Sequence, residues 1–173
     1  LPPVLRLVGL SLIAMLALRL RFSDLSNLTD LQEDGGLAIA RTAYTKTVKS
    51  SRLPLFLTGP VMFATEVNWC ATYLAFRAQQ QIPLGMFPGI PAWNATSGFE
   101  PCKASIGDFN KLIIELMRDV TSGCKVSTHS CKATALTWVD TYGISSRAQL
   151  ILGYHTVQGL RAADSYTREK QAA

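Results

Sequence analysis

The sequence predicts a mainly α chain that carries one small antiparallel β-hairpin. Three observations lead there. Apolar residues recur at helical spacing in IGDFNKLIIELMRDV, placing Ile106, Phe109, Leu112, Ile113, Leu116 and Val120 on one face. LAIARTAY alternates as a strand does, and the polar stretch TKTVKSSR turns it into a second short apolar run, LPLFL. No repeat or low-complexity tract interrupts the chain, and its 173 residues suit one domain, 1–173, with a core of its own.

Taken in order, the first helix is expected from Val4 into the Ser23–Asp24 region. Its apolar run, VLRLVGLSLIAMLAL, has 15 residues and contains Arg6. A bilayer span needs about 20. A secretory signal would need a basic segment ahead of the run and a small-x-small site behind it; neither is present before Arg19 and Arg21. A buried helix is therefore the preferred reading. LTDLQEDGG, residues 28–36, reads as a turn-rich connector, and the hairpin follows, ending at Gly59-Pro60. A helix is expected over about 65–80. Residues 81–102 hold four prolines and three glycines, too many for a regular element, and read as a long loop. Ser105 caps the next helix. Beyond Ser122-Gly123, three short helices are expected over about 128–142, 145–152 and 156–169.

Seventeen basic and 12 acidic residues give a net charge of +5, which excludes an acidic, disordered chain and favours an anionic partner. The charge is uneven: residues 1–60 carry 7 basic and 4 acidic groups, 61–124 carry 4 and 5, and 125–173 carry 6 and 3. The surplus thus sits at both ends, where folding could merge it into one face. Mean hydropathy is +0.17, which the buried first helix accounts for. Cys70, Cys102, Cys124 and Cys131 form no C-x-x-C pair and no disulfide framework, so a reducing compartment, nucleus or cytosol, is expected. On that reading the sequon Asn94-Ala95-Thr96 is a chance match.

Three segments carry groups that chemistry could use. Arg21 and Asp24 lie three apart, so that on one helix face the carboxylate could hold the guanidinium. Lys46 sits in the hairpin turn. The tail carries His129 and Lys132, again three apart, then Leu152-Gly153-Tyr154-His155, then Ser165-Tyr166-Thr167-Arg168. Singly, each is an ordinary surface ion pair, loop lysine or histidine. Cys124, His129 and Cys131 have neither the number nor the spacing of a zinc site, and no metal is expected.

In order, however, they resemble the catalytic domain of the tyrosine recombinase (phage integrase) family. RFSDL resembles its R-x-S-E-L, and AYTKTVKSSRLPLFL its β-hairpin with the catalytic lysine. HSCKATALTWVDTYGI resembles its H-x-L-R helix and following turn, LILGYH its L-L-G-H, and ADSYTREK the segment with the nucleophilic tyrosine. The resemblance runs from about residue 5 to 170. HSxKAT and a middle loop with prolines and tryptophan are similar to divergent eukaryotic mobile-element members.

The resemblance implies cleavage of one strand of double-stranded DNA by tyrosine attack, through a 3′-phosphotyrosine that stores the energy for rejoining, with no cofactor. It implies that Tyr166 is the nucleophile, that Arg21 and Lys132 hold the phosphoryl oxygens, and that Lys46 protonates the departing 5′-oxygen. His129 would assist proton transfer, and Tyr154 or His155 would brace the phosphate. It also implies a homo-oligomer on DNA, no membrane, and an N-terminal DNA-clamping domain that has no counterpart in these residues.

Two departures stand out. Lys132 occupies a position where the family carries arginine, which loses the planar fork. Tyr154 takes the His slot, and 12 residues separate it from Tyr166, more than the family's usual spacing. They leave a second reading open: a decayed or repurposed recombinase fold that binds DNA without cutting it. A third, a secreted or membrane-associated protein, rests on residues 4–18 alone.

Overall fold

A computed structural model describes residues 1–42, 55–62, 66–82, 89–119 and 127–129, with the single positions 131, 134, 137 and 141. Its spine is α1 (Pro3–Ala17), whose Leu7, Val8, Ala14 and Met15 are buried and which packs against two later helices, α3 (Trp69–Gln79) and α4 (Ile106–Leu116). Arg6 lies over the Phe76 ring of α3 at 5.1 Å.

The first helix stops earlier than its composition suggests. Leu20 N–H bonds back to the Met15 carbonyl and Arg19 N–H to that of Leu16, the paired bonds of a Schellman ending, with Arg19 at φ 54° where glycine is usual. Leu20 and Met15 are both fully buried, supplying the apolar contact of that motif. With no glycine to mark the stop, the helix expected from the sequence continues to residue 24. The left-handed arginine costs about 1–2 kcal/mol. Its guanidinium offsets this by donating to the Thr58 carbonyl at 3.1 Å.

A separate helix, α2 (Phe22–Ser26), follows. Residues 28–36 then form a strand and its turn rather than a connector: β1 (Leu28–Asp34), β2 (Leu37–Thr42) and β3 (Leu55–Pro60) make an antiparallel meander, β1-β2-β3. Gly35 and Gly36, both at positive φ, make the β1–β2 turn. A bulge at Leu28/Asp30 resets the alternation of β1, so Leu28 and Leu31 both face inward at a spacing of three. That spacing hides the strand from a search for strict alternation. The hairpin foreseen in the sequence is β2–β3, registered from Leu37↔Pro60 to Thr42↔Leu55.

Helix α3 begins at Asn68, whose side chain accepts Ala71 N–H at 2.9 Å, and so starts later than expected. Trp69 Nε1 donates to the Pro60 carbonyl at 2.7 Å, seating α3 on β3.

The proline-rich stretch holds a second hairpin, β4 (Pro91–Asn94) and β5 (Gly98–Lys103). In β4 proline is confined to the first residue, where no ladder donor is lost to the strand interior. Asn94 Oδ1 accepts the N–H groups of Thr96 and Ser97, Gly98 takes φ 82°, and Trp93 meets Phe99 edge-on at 4.8 Å.

Helix α4 is capped as expected: Ser105 Oγ accepts Asp108 N–H at 3.0 Å. Phe109 and Ile113 are fully buried and Leu112 and Leu116 pack on the core, while Ile106, at the first position, stays 50% exposed. Thr128, His129, Cys131, Thr134, Thr137 and Thr141 are helical, within the span expected for a helix over 128–142. The helices expected over 145–152 and 156–169 lie outside the described residues, as does Val120. Among the described residues the architecture is helices with two small antiparallel sheets, where the sequence suggests one.

Candidate functional site

Arg21 is the N-cap of α2, extended at φ −82°, ψ 162°, and half-buried. Asp24, the third residue of that helix, accepts the Arg21 backbone N–H through Oδ2 at 3.0 Å. A guanidinium has no lone pair to offer in return, so this is half a capping box. The Arg21–Asp24 relation is thus made through the backbone, and the ion pair expected between their side chains is not among those of the described residues. Asp24 is 5% exposed and its Oδ1 has no hydrogen-bond partner among the described residues.

His129 is exposed, and its neighbours tie it to the same region. Phe22, next to Arg21, stacks on Phe109 of α4 with centroids 4.9 Å apart. The following α4 residue, Asn110, accepts Thr128 N–H through Oδ1 at 3.1 Å. Adjacent positions of α4 therefore hold the residue after Arg21 and the residue before His129. Lys46 belongs to residues 43–54, which join β2 to β3; it lies outside the described residues, as do Lys132, Tyr154, His155 and Tyr166.

One organising residue carries no motif. Asn27 C-caps α2, donates from Nδ2 to the Ser23 carbonyl at 2.8 Å, and accepts Lys103 Nζ of β5 on Oδ1 at 2.9 Å. Its backbone carbonyl accepts the hydroxyl of fully buried Thr42, the last residue of β2, at 3.1 Å. Asn27 thus joins α2, both hairpins and the strand that leads to Lys46. In the sequence only the preference of Asn for helix ends hints at it.

An apolar cavity of about 230 Å³ lies between α1, the β4–β5 hairpin and α4, lined by Val8, Ile90, Trp93 and Phe109 among others. Its charged lining, Asp108 and Lys111, is an ion pair at 2.9 Å, and neither Arg21 nor His129 borders it. It offers nothing to grip a phosphate.

His129 is exposed and Cys131 buried, burial pushing the Cys131 thiol up to about 11, and Cys124 lies outside the described residues. Among the described residues no group of His, Cys, Asp and Glu could hold a metal ion. Nor is any described helix long and apolar enough to cross a membrane.

No protein-family model matches the sequence, and no curated protein matches it. Among solved structures, FLP recombinase in its complex with a Holliday junction is similar, with a TM-score of 0.59 and 12% identity. The match covers 96% of this chain and 42% of that one, so the chain spans less than half of its length. At that identity the likeness is one of fold.

Proposed function

We propose that this chain is the strand-cleaving domain of a tyrosine-type, site-specific DNA recombinase of a mobile element. The observation that supports it most is the recombinase-like fold over 96% of the chain, met independently by the ordered motifs of the sequence. In this reading Tyr166 Oη attacks the scissile phosphorus. The new P–O bond replaces the P–O5′ bond, leaving a 3′-phosphotyrosine and a free 5′-hydroxyl. His129 receives the tyrosine proton and Lys46 delivers one to the 5′-oxygen. Arg21 and Lys132, with Tyr154 or His155, stabilise the charge that builds on the two non-bridging oxygens. No cofactor enters, since the phosphotyrosine conserves the bond energy. The chain works as a homo-oligomer on double-stranded DNA, in the nucleus or cytosol.

The test is capture of a covalent adduct on nicked duplexes tiled across the DNA that flanks the chain's own gene. Tyr166→Phe should abolish the adduct; one that persists refutes the nucleophile. The second reading, a fold that grips DNA without cutting it, is favoured by Lys132 and Tyr154. It predicts binding with a steep salt dependence and no adduct on any substrate.

A further inference from the structure

We propose that Lys103 is a DNA-backbone ligand, set by Asn27 at the far end of the Arg21 helix, so that the β4–β5 hairpin holds a phosphate beside the one under attack. The inference rests on the recombinase reading above and adds to it an element that the charge distribution of the sequence leaves out, since residues 61–124 sum to −1.

The cations of that middle segment are not equivalent. Arg77 is buried, Lys111 is ion-paired with Asp108, and Arg118 is exposed past the end of α4. Lys103 is exposed, yet its ammonium is held at 2.9 Å by the neutral amide oxygen of Asn27. An amide partner leaves the charge whole and occupies one of three N–H donors, so two remain for a ligand. A free surface lysine would have to give up side-chain freedom to hold a phosphate. This one is already placed. Asn27 can hold it because Nδ2 is itself fixed on the Ser23 carbonyl, which orients Oδ1 toward β5.

The placement suits a phosphate chain. Arg21 and Asn27 flank the five residues of α2, so six helical steps, about 9 Å, separate them. Each strand carries one phosphate per about 3.4 Å of duplex axis, and because the strand winds round that axis its successive phosphates lie further apart than this, so the two ends of α2 are spaced to meet neighbouring phosphates. A strand running along α2 would meet Arg21 at one phosphate and Lys103 at a flanking one. Phosphate contacts of this kind fix register without reading sequence.

The experiment measures binding of the whole chain to an immobile synthetic four-way DNA junction by fluorescence anisotropy, between about 50 and 200 mM KCl. Lys103→Gln should weaken binding several-fold at the low end and reduce the slope of log K against log salt by about 0.9, one phosphate contact. Lys103→Arg should restore both. Asn27→Ala, which frees the lysine but keeps its charge, should weaken binding while the slope stays near that of the parent. The paired change Lys111→Gln with Asp108→Asn should leave affinity and slope unaltered. Thermal melts by circular dichroism establish that each variant is folded. A folded Lys103→Gln chain with the parent's affinity and slope would overturn the assignment of Lys103 alone. A parent chain that binds neither the junction nor duplex DNA would overturn the recombinase reading, and this inference with it.

Discussion

Replacing Gly59 by alanine should cost more than any glycine rule based on backbone freedom would suggest. Gly59 lies in β3 opposite Ala38, and its backbone runs against the end of α1. A Cβ there would overlap the Ala17 carbonyl oxygen and stand 2.9 Å from its carbonyl carbon and 3.2 Å from Leu18 Cδ2. Two of these obstacles are backbone, so no rotamer change relieves them. Either β3 retreats, stretching the 3.1 Å bond from Arg19 to Thr58, or the Schellman ending of α1 is pushed aside. Overpacking of this kind costs about 1–3 kcal/mol, and weakening a charged hydrogen bond adds about 1 kcal/mol or more. Reduced entropy of the unfolded chain returns about 0.4–1 kcal/mol. The net loss is about 2–3 kcal/mol, or a fall in Tm of roughly 5–10 °C for a chain of this size. Urea unfolding and thermal melts read it directly. Gly36→Ala is the comparison: φ is +81° and nothing lies within 4 Å, so the cost there is backbone strain alone, about 1 kcal/mol. A Gly59→Ala chain within about 0.5 kcal/mol of the parent, the scale of an ordinary surface change, would refute the close approach and the seating of β3 on α1.

Arg19→Ala should destabilise more than Arg19→Gly, by about 1 kcal/mol in urea, because both lose the Thr58 bond but only alanine keeps the left-handed strain; equal losses would refute the account of the helix ending. Ser11→Ala should leave Tm unchanged or raise it, because the Ser11 hydroxyl is fully buried in α1 without a hydrogen-bond partner among the described residues; a fall of several degrees would show that the hydroxyl is used. Arg77→Met should cost about 2–4 kcal/mol, since the buried guanidinium donates to the Gly89 carbonyl at 2.6 Å and to Tyr73 Oη at 3.3 Å; a melt unaltered by the change would remove its anchoring role. Of Cys70, Cys102 and Cys131, only exposed Cys102 should be alkylated by iodoacetamide in native protein at neutral pH. Burial pushes Cys70 and Cys131 each up to about 11, and peptide mapping that found either modified as fast as Cys102 would contradict their burial.

What can be read in the sequence follows from the range of the physics involved. Helix α4 and the β2–β3 hairpin are legible because local signals specify them: Ser105 three residues before Asp108, a 3.6-residue apolar period, and alternation on either side of a polar turn. The end of α1 is not, because Arg19 occupies a glycine position and is held there by Thr58, 39 residues away. The bulge in β1 conceals that strand. The second hairpin is concealed because prolines at 83, 88, 91 and 101 outweigh a four-residue strand in any local count, although Asn94 and Gly98 form a turn of ordinary chemistry. For the candidate site, Arg21 and His129 stand out in the sequence as members of an ordered motif. The bond between Asn27 and Lys103 leaves no mark in the sequence, because it spans 76 residues.

Four of the contacts that join segments of the fold share one property. Arg19 to Thr58, Thr42 to Asn27, Trp69 to Pro60 and Arg77 to Gly89 are each a side-chain donor on a backbone carbonyl. A carbonyl is supplied by every residue type, so such a bond constrains the donor's identity and leaves the acceptor's free. Each ties one segment to another by a bond outside the ladders and helices. Phosphoryl transfer by several side chains tolerates misplacement of well under about 1 Å, and that precision must come from the supports of each segment rather than from the site residues themselves. Such a site can lose sequence likeness everywhere except at the donors and the groups that touch phosphate. The likeness to the solved recombinase, at 12% identity over 96% of this chain, is one of fold.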